Sequence, residues 1–412
     1  MKKQKILPAQ LSPSARLCVL ENAQIVPMAP DSTPGKVNGG IVHTNKPAFS
    51  EQFRGKTIFQ NSSELDLATN QDFLETYEGK SRKSTGQSLY LGPVFNNFGH
   101  FLAESIHRAW GYEYVTQGLG ESIKQVILLP QTPAQFPWLR QFKYKLPSIF
   151  LQALDYLGIP EKKIKYLFTP SIVDKIVVPE QASFFRSQQS VGSDYLAFLK
   201  RCELRNNIQG KRTEFKKIYV SRIHFKLRGA YAAESYLENY FASQGYQIFY
   251  PQEHSLLEQL DIYKSATDIV FAEGGGLHIL ELLGELNANI YIIGRRPMCE
   301  GVYTCILQPR VKSSHFFTQV TTLPSLFIPK KSNRVAHGSA VSMLDPEHLV
   351  EFLGNKVGLD TSSFKLEKFI EIAKHDIEEY RNHYQNQQTV NEQVKLNALA
   401  SFSKHLKKLF TE

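Results

Sequence analysis

The sequence predicts an α/β protein, and three observations carry that prediction. Beyond residue 216, short apolar runs alternate with helical patterns. The apolar runs are closed by turn formers: Pro251 follows 246–250, and the glycines at 274–276 follow Asp268–Ala272. The helical stretches carry their own boundaries, because Gly245 stops the one at 232–244 and Ser255 with Glu258 forms a capping box at the start of the next. Strands alternating with helices build βαβ units on a parallel sheet.

The elements follow in order along the chain. Residues 1–60 mix short apolar stretches with turns, as in the Pro- and Gly-containing run 28–35, and are expected to be irregular or β-rich. A strand at 88–95 leads into a helix that begins near Asn97. The run 124–129 is a buried strand closed by Pro130. Residues 147–157 form a helix that ends at Gly158 and Pro160. Two β-prone runs, 164–168 and 175–178, precede a helix at 195–204. The polar stretch 205–214 is the best linker in the chain. Strands at 217–221, 246–250, Asp268–Ala272 and Asn289–Ile293 then alternate with helices at 232–244, 255–265 and 276–284. Residues 300–340 are expected to be loop-rich. The tail 364–410 reads as one or two helices. Leu399, Phe402, Leu406 and Leu409 mark one face of it, beside Lys404, Lys407 and Lys408. Docking on the body is the favoured reading of this tail, ahead of contact with a membrane.

Composition bounds the function. The 412 residues allow two or three domains. Hydrophobic residues at 42% and charged residues at 21% are ordinary for a globular chain and exclude wholesale disorder. Lys plus Arg number 48 against 39 Asp plus Glu, a formal charge of +9 that favours anionic partners such as nucleotides, phosphorylated lipid carriers or an anionic membrane surface. A basic surface without any partner is the competing reading. No block of five like charges and no nucleic-acid-binding signature is present, so nucleic acid is not an expected partner. Cys18, Cys202, Cys299 and Cys305 make no CxxC and no zinc spacing, and so few cysteines suit a reducing compartment. The N-terminus lacks the apolar core of a signal peptide, and no apolar run approaches the ~20 residues of a membrane span. A cytoplasmic protein, soluble or membrane-peripheral, is expected.

Three constellations carry chemistry. In the first, His100, Glu104 and His107 recur at i, i+4 and i+7 on one stripe of the helix that Asn97 caps, while Leu102, Ile106 and Ala109 form an apolar stripe facing the core. The positive end of the helix dipole favours a neutral imidazole at His100, which can accept a proton as a general base. Glu104, one turn on, would orient it. Ordinary surface polarity is the alternative; zinc would need a further ligand that the pattern lacks. In the second, Arg222, Lys226 and Arg228 follow the first strand of the alternating half. Ligands of open α/β sheets bind there, and forked guanidiniums suit a diphosphate. A solvated basic loop is the alternative. In the third, Glu273, Gly274, Gly275, Gly276 and His278 join a strand to a helix. The glycines permit close approach of the backbone, the helix start offers N–H groups to an anion, Glu273 can accept from ribose or sugar hydroxyls, and His278 can contact phosphate. A turn that serves packing alone is the alternative. The motif is neither GxGxxG nor a Walker loop.

Taken in order, these residues resemble glycosyltransferase family 61, especially its bacterial members associated with capsular or other surface polysaccharides. The resemblance rests on Gly99, His100, Glu104, Arg108 and Trp110, then on Val220, Ser221, Arg222, Arg228 and Glu234. It continues through Leu257, Gln259 and Ala266 into Ala272, Glu273, the three glycines and His278. It covers about residues 85–295. Two departures stand out: Ala233-Glu234 where family members often carry Asn-Glu, and Glu273-Gly-Gly where they often carry Glu-Gly-Ser.

The resemblance implies a GT-B-like build, two Rossmann-like domains facing a cleft, with C-terminal helices. It implies an acceptor-side domain at 1–210, a nucleotide-sugar-binding domain at 211–345, and helices at 346–412 that pack back on the body. The implied reaction is inverting transfer of a sugar from a nucleotide-sugar donor to a glycan or lipid-linked acceptor, with no essential metal or other cofactor. His100 and Glu104 would then be catalytic. Arg222, Arg228, Glu273, the three glycines and His278 would hold the nucleotide diphosphate. Asn97, His107 and Arg108 would lie on the acceptor side. A polysaccharide pyruvyl transferase, or an inactive nucleotide- or glycan-binding scaffold, are the alternatives.

Overall fold

The computed structural model of the chain describes residues 5–8, 16–28, 39–42, 82–130, 144–183, 190–329, 334–388 and 391–411. The chain divides into two compact units. One comprises Met1–Gln209 with His278–Glu285, the other Gly210–Leu277 with Leu286–Glu412. The boundary at 209/210 falls in the polar linker.

The first unit is built on a mixed seven-stranded sheet. Its strands are β1 (Lys5–Pro8), β2 (Arg16–Val26), β3 (Gly40–Val42), β4 (Arg82–Val94), β5 (Gln125–Pro130), β6 (Ile164–Tyr166) and β7 (Ser171–Pro179). The order is β1-β2-β7-β4-β5-β6, with β3 on β2. β4 runs parallel to β5 and β7, whereas β2 is antiparallel to its neighbours. The expected β-rich start thus includes an eleven-residue strand. Most of the turn-rich run 28–35 lies outside the described residues. β4 is bulged between Tyr90 and Gly92, where Gly92 takes φ +98° and a Cβ would stand 3.0 Å from Nη1 of Arg108. Tyr90, Ile127, Leu129, Ile176 and Val178 are buried on one face. Helices α1 (Ser148–Tyr156) and α2 (Ser193–Arg205) and an irregular helical run at 98–118 belong to the same unit.

The second unit holds a five-stranded, all-parallel sheet. Its strands are β8 (Lys217–Val220), β9 (Gln247–Phe249), β10 (Asp268–Ala272), β11 (Asn289–Ile293) and β12 (Ser313–Phe317), in the order β12-β11-β10-β8-β9. Strand order reverses between β8 and β10. In open α/β sheets this switch point, at the carboxyl ends of the strands, is where ligands bind.

Helices follow the strands: α3 (Glu234–Ser243), α4 (Leu256–Ser265), α5 (Glu300–Leu307), α6 (Pro346–Phe352), α7 (Leu366–Gln385) and α8 (Glu392–Thr411). A small hairpin-like pair, β13 (Val320–Thr322) with β14 (Ser342–Leu344), lies beside them. Side chains alternate across the sheet. Tyr219, Val270 and Tyr291 join one core with Leu237, Phe241, Phe369, Ile377 and Phe402 of α3, α7 and α8. Phe271 faces the other way, against Tyr263 of α4.

Two expectations are corrected. Residues 300–322 are not loop-rich, because α5 buries Val302, Tyr303, Ile306 and Leu307 and β12 extends the sheet. The helix expected at 276–284 is a 3-10 helix over Gly275–Leu282. The tail docks: Phe402 is fully buried in the unit's core with Leu399, Leu406 and Leu409 packed on it, while Lys404, Lys407 and Lys408 are exposed. Among the described residues no helix is long and apolar enough to cross a membrane.

Candidate functional site

In the first unit, the helical run at 98–118 opens with Asn97, whose side chain accepts from His100 N at 3.2 Å. Asn97 is therefore the helix cap that the sequence led us to expect. Leu102, Ile106 and Ala109 are fully buried, as their spacing required. The expected shared stripe breaks after Glu104. Residues Phe101–Ser105 form a π-turn and 106–109 a bend, so the wider turn carries His107 off the stripe. His100 and Glu104 still meet, with Nδ1 2.6 Å from Oε1.

His107 instead points inward and is fully buried. Its Nδ1 lies 3.2 Å from Tyr195 Oη, and its Nε2 lies 3.0 Å from Oε2 of Glu281. The other carboxylate oxygen of Glu281 is 2.6 Å from Nδ1 of His278. Burial pushes the Glu281 carboxyl up, but the two imidazoles beside it outweigh burial and hold the group near 2. His278, expected at a phosphate, is 3% exposed and committed to this network. Arg108 is also buried, with Nη1 donating to the Leu91 carbonyl at 3.2 Å and the guanidinium 5.5 Å over the Tyr90 ring. Burial lowers it to about 10. His107 and Arg108 are thus interior residues.

In the second unit, Arg222 follows β8 and Gly274 follows β10, one on each side of the switch point. A Cβ at Gly274 would fall 2.0 Å from Nη1 of Arg222, so only glycine lets the guanidinium lie against the turn. Nη2 of Arg222 donates to the Gly229 carbonyl at 3.2 Å, and its backbone N–H donates to Oε1 of Glu234 at 2.5 Å. Glu234 is buried, which pushes its carboxyl up to about 7, against the opposing pull of Arg222. Gly275 is exposed and Gly276 half-buried, while the N–H of Leu277 is taken by the Gly274 carbonyl. Arg228 is exposed, and its guanidinium stands 5.5 Å over the Phe327 ring.

Glu273 is turned to another purpose than the expected sugar hydroxyls. It is fully buried. Oε2 accepts from the backbone N–H groups of Arg295 and Arg296 at 2.8 and 3.1 Å, and Oε1 accepts from Nε of Arg296 at 2.8 Å and also from its Nη2. The carboxylate raises the Arg296 guanidinium against the lowering effect of burial. Arg295, beside it, is pushed down to about 10 by burial, with the charges of Arg296 and Arg222 adding to the effect.

Arg295 and Arg296 were missed in the sequence. Their signal was present: a second pair of charges directly after β11, the strand that runs parallel beside β10.

One group among the described residues has metal-ligand spacing: His375, Asp376 and Glu379 on α7. Asp376 accepts from Ala233 N at 2.9 Å and Glu379 pairs with Lys226 at 2.7 Å, so two of the three carry structural contacts.

Residues 98–282 match the family model of Glycosyltransferase 61. The matched stretch includes His100, Glu104, Arg222, Glu234, Glu273, the glycine turn and His278, and stops before Arg295. No curated protein matches the chain. The match supports the family and, with it, a transferase.

Proposed function

We propose, with the Glycosyltransferase 61 match as premise, that this chain moves a sugar from a nucleotide-sugar donor to a hydroxyl of a glycan or lipid-linked acceptor. The observation that carries the reading is that a single family match spans both the His100–Glu104 pair and the residues on either side of the β8/β10 switch point. The donor is assigned to the second unit and the acceptor to the first. An inverting reaction, a GT-B build, a cytoplasmic setting beside an anionic membrane and a role in capsular or surface polysaccharide are parts of the same proposal.

The reaction follows from the side chains. The acceptor hydroxyl attacks the anomeric carbon from the face opposite the nucleotide, forming the new glycosidic bond as the bond to the diphosphate breaks. His100 removes the hydroxyl proton, and Glu104 holds the imidazole in line for it. Negative charge grows on the departing diphosphate, and Arg222 with the backbone of the glycine turn stabilises it. Fixed cations placed where charge develops act without reorganising, so this step calls on no metal.

The test is turnover with a panel of nucleotide sugars, read as free nucleotide. Release of UDP, GDP or CMP with a sugar joined to the acceptor supports the reading. Release of inorganic phosphate from phosphoenolpyruvate would make the chain a pyruvyl transferase, and binding without release of either would make it a scaffold.

A further inference from the structure

We infer that Arg222 and Arg295 form a two-armed anion site at the switch point, fitted to a diphosphate, and that Glu273 and Arg296 serve to set Arg295 in place. The site stands on the geometry of the second unit; only the identification of its ligand as a nucleotide diphosphate rests on the proposed transferase function.

The two guanidiniums meet at Gly229. Nη2 of Arg222 donates to its carbonyl at 3.2 Å, and Nη1 of Arg295 stands 2.6 Å from where a Gly229 Cβ would be. Gly229 has φ +75°, so a side chain there would be strained as well as in the way of Arg295. The partners of these arms are neutral. Arg222 bonds the Gly229 carbonyl and Arg295 bonds the Gly338 carbonyl at 3.0 Å. Among the described residues neither guanidinium is within salt-bridge distance of a carboxylate, and the Nε atom of each is buried with no hydrogen-bond partner. Arg296 differs, because its Nε and Nη2 both donate to the buried Glu273 carboxylate in an ion pair.

This arrangement is unfavourable without an anion. Two like charges are brought together in a half-buried place, which costs free energy that an anion between them would offset. The local carboxylate could have neutralised Arg295, yet it holds the backbone N–H of Arg295 and the side chain of Arg296 instead. Glu273 therefore aims the Arg295 arm without neutralising it. A guanidinium presents a planar fork of donors matched to phosphate oxygens, and two forks at one glycine match two joined phosphoryl groups. The missing side chain at Gly274 makes room for the Arg222 guanidinium, which fixes that arm against the turn.

The experiment is binding of inorganic pyrophosphate, phosphate and nucleoside diphosphates to the full chain, by calorimetry and thermal shift, for wild type, Arg222→Ala, Arg295→Ala and Arg295→Lys. Wild type is expected to bind pyrophosphate more tightly than phosphate. Each alanine variant should weaken pyrophosphate about tenfold or more, as loss of a charge-assisted contact implies. Arg295→Lys, which keeps the charge and most of the stem, should lie between, and it guards against an alanine variant that misfolds. Wild type indifferent to pyrophosphate, or Arg295→Lys and Arg295→Ala both binding like wild type, overturns the site. Loss of pyrophosphate binding on removing Arg295 in a chain that turns over no nucleotide sugar would keep the site and sink the transferase reading. Turnover with unchanged binding in the Arg295 variants would do the reverse.

Discussion

Nδ1 of His100 lies 2.6 Å from Oε1 of Glu104, with the imidazole 31% exposed and the carboxylate 1% exposed. A buried carboxylate behind a solvent-reached imidazole holds the ring in one orientation. His100→Ala is expected to lower kcat by about a hundred- to ten-thousandfold, the usual contribution of a general base, with nucleotide affinity unchanged. Glu104→Gln should lower kcat in the same direction by less, because the ring stays and loses only its orienting charge. Steady-state kinetics beside nucleotide calorimetry check both. Near-normal turnover in His100→Ala removes the base assignment.

Gly274→Ala separates binding from folding. The new Cβ would fall 2.0 Å from the Arg222 guanidinium, the movable end of a long side chain. The fold can accommodate it by swinging Arg222 away. The expected outcome is a melting temperature within a few degrees of wild type and a diphosphate affinity lowered about tenfold, the loss of one charge-assisted contact. A variant that unfolds, or that binds as tightly as wild type, contradicts the placement of Arg222 against the turn.

Glu234 gives a pH signature. Its carboxyl rises from an ordinary 4.5 to about 7 because it is buried. The folded state thus holds a proton that the unfolded state has released between those two values. Stability must fall as pH rises from about 4.5 to about 7, by an amount on the order of 2–3 kcal/mol from this group alone. Glu234→Gln keeps an acceptor for the Arg222 N–H and cannot ionise, so its urea midpoint should change less with pH over that window. Parallel wild-type and variant profiles would show that Glu234 titrates as it does in water.

Much of the second unit was legible from sequence because its signals are local. Asp268–Ala272 and Asn289–Ile293 stand where the apolar runs placed them, and the Ser255–Glu258 capping box is present. What escaped was short, polar or paired across a distance. α5 has eight residues, too few to show a period, and β12 reads Ser-Ser-His-Phe-Phe, half-buried as the edge of its sheet. The partner of Glu273 depends on register: Ala272 lies beside Ile293, which sets the carboxylate next to the turn at 294–296. Periodicity within one segment carries no register between two. For the same reason the helical stripe put His107 with His100, whereas a π-turn and a residue 174 positions on, Glu281, decided its place.

Glu281 supplies the last test, within the first unit. It joins His107 and His278 at 3.0 and 2.6 Å. Burial alone would raise its carboxyl, but the two imidazoles hold it near 2, below the 4.5 of an unfolded chain. The sign follows: the unfolded state takes up a proton first as pH falls, so this stabilisation is complete above about 4.5 and is lost on the way down to about 2. Glu281→Gln is expected to destabilise the protein by about 3–5 kcal/mol at pH 7, since it breaks a buried charged network and leaves two imidazoles with one neutral partner. The gap between wild type and variant should narrow as urea unfolding is repeated from pH 5 down to pH 3. A variant as stable as wild type at pH 7, or a gap that does not change with pH, would show that the carboxylate is not the centre of the network.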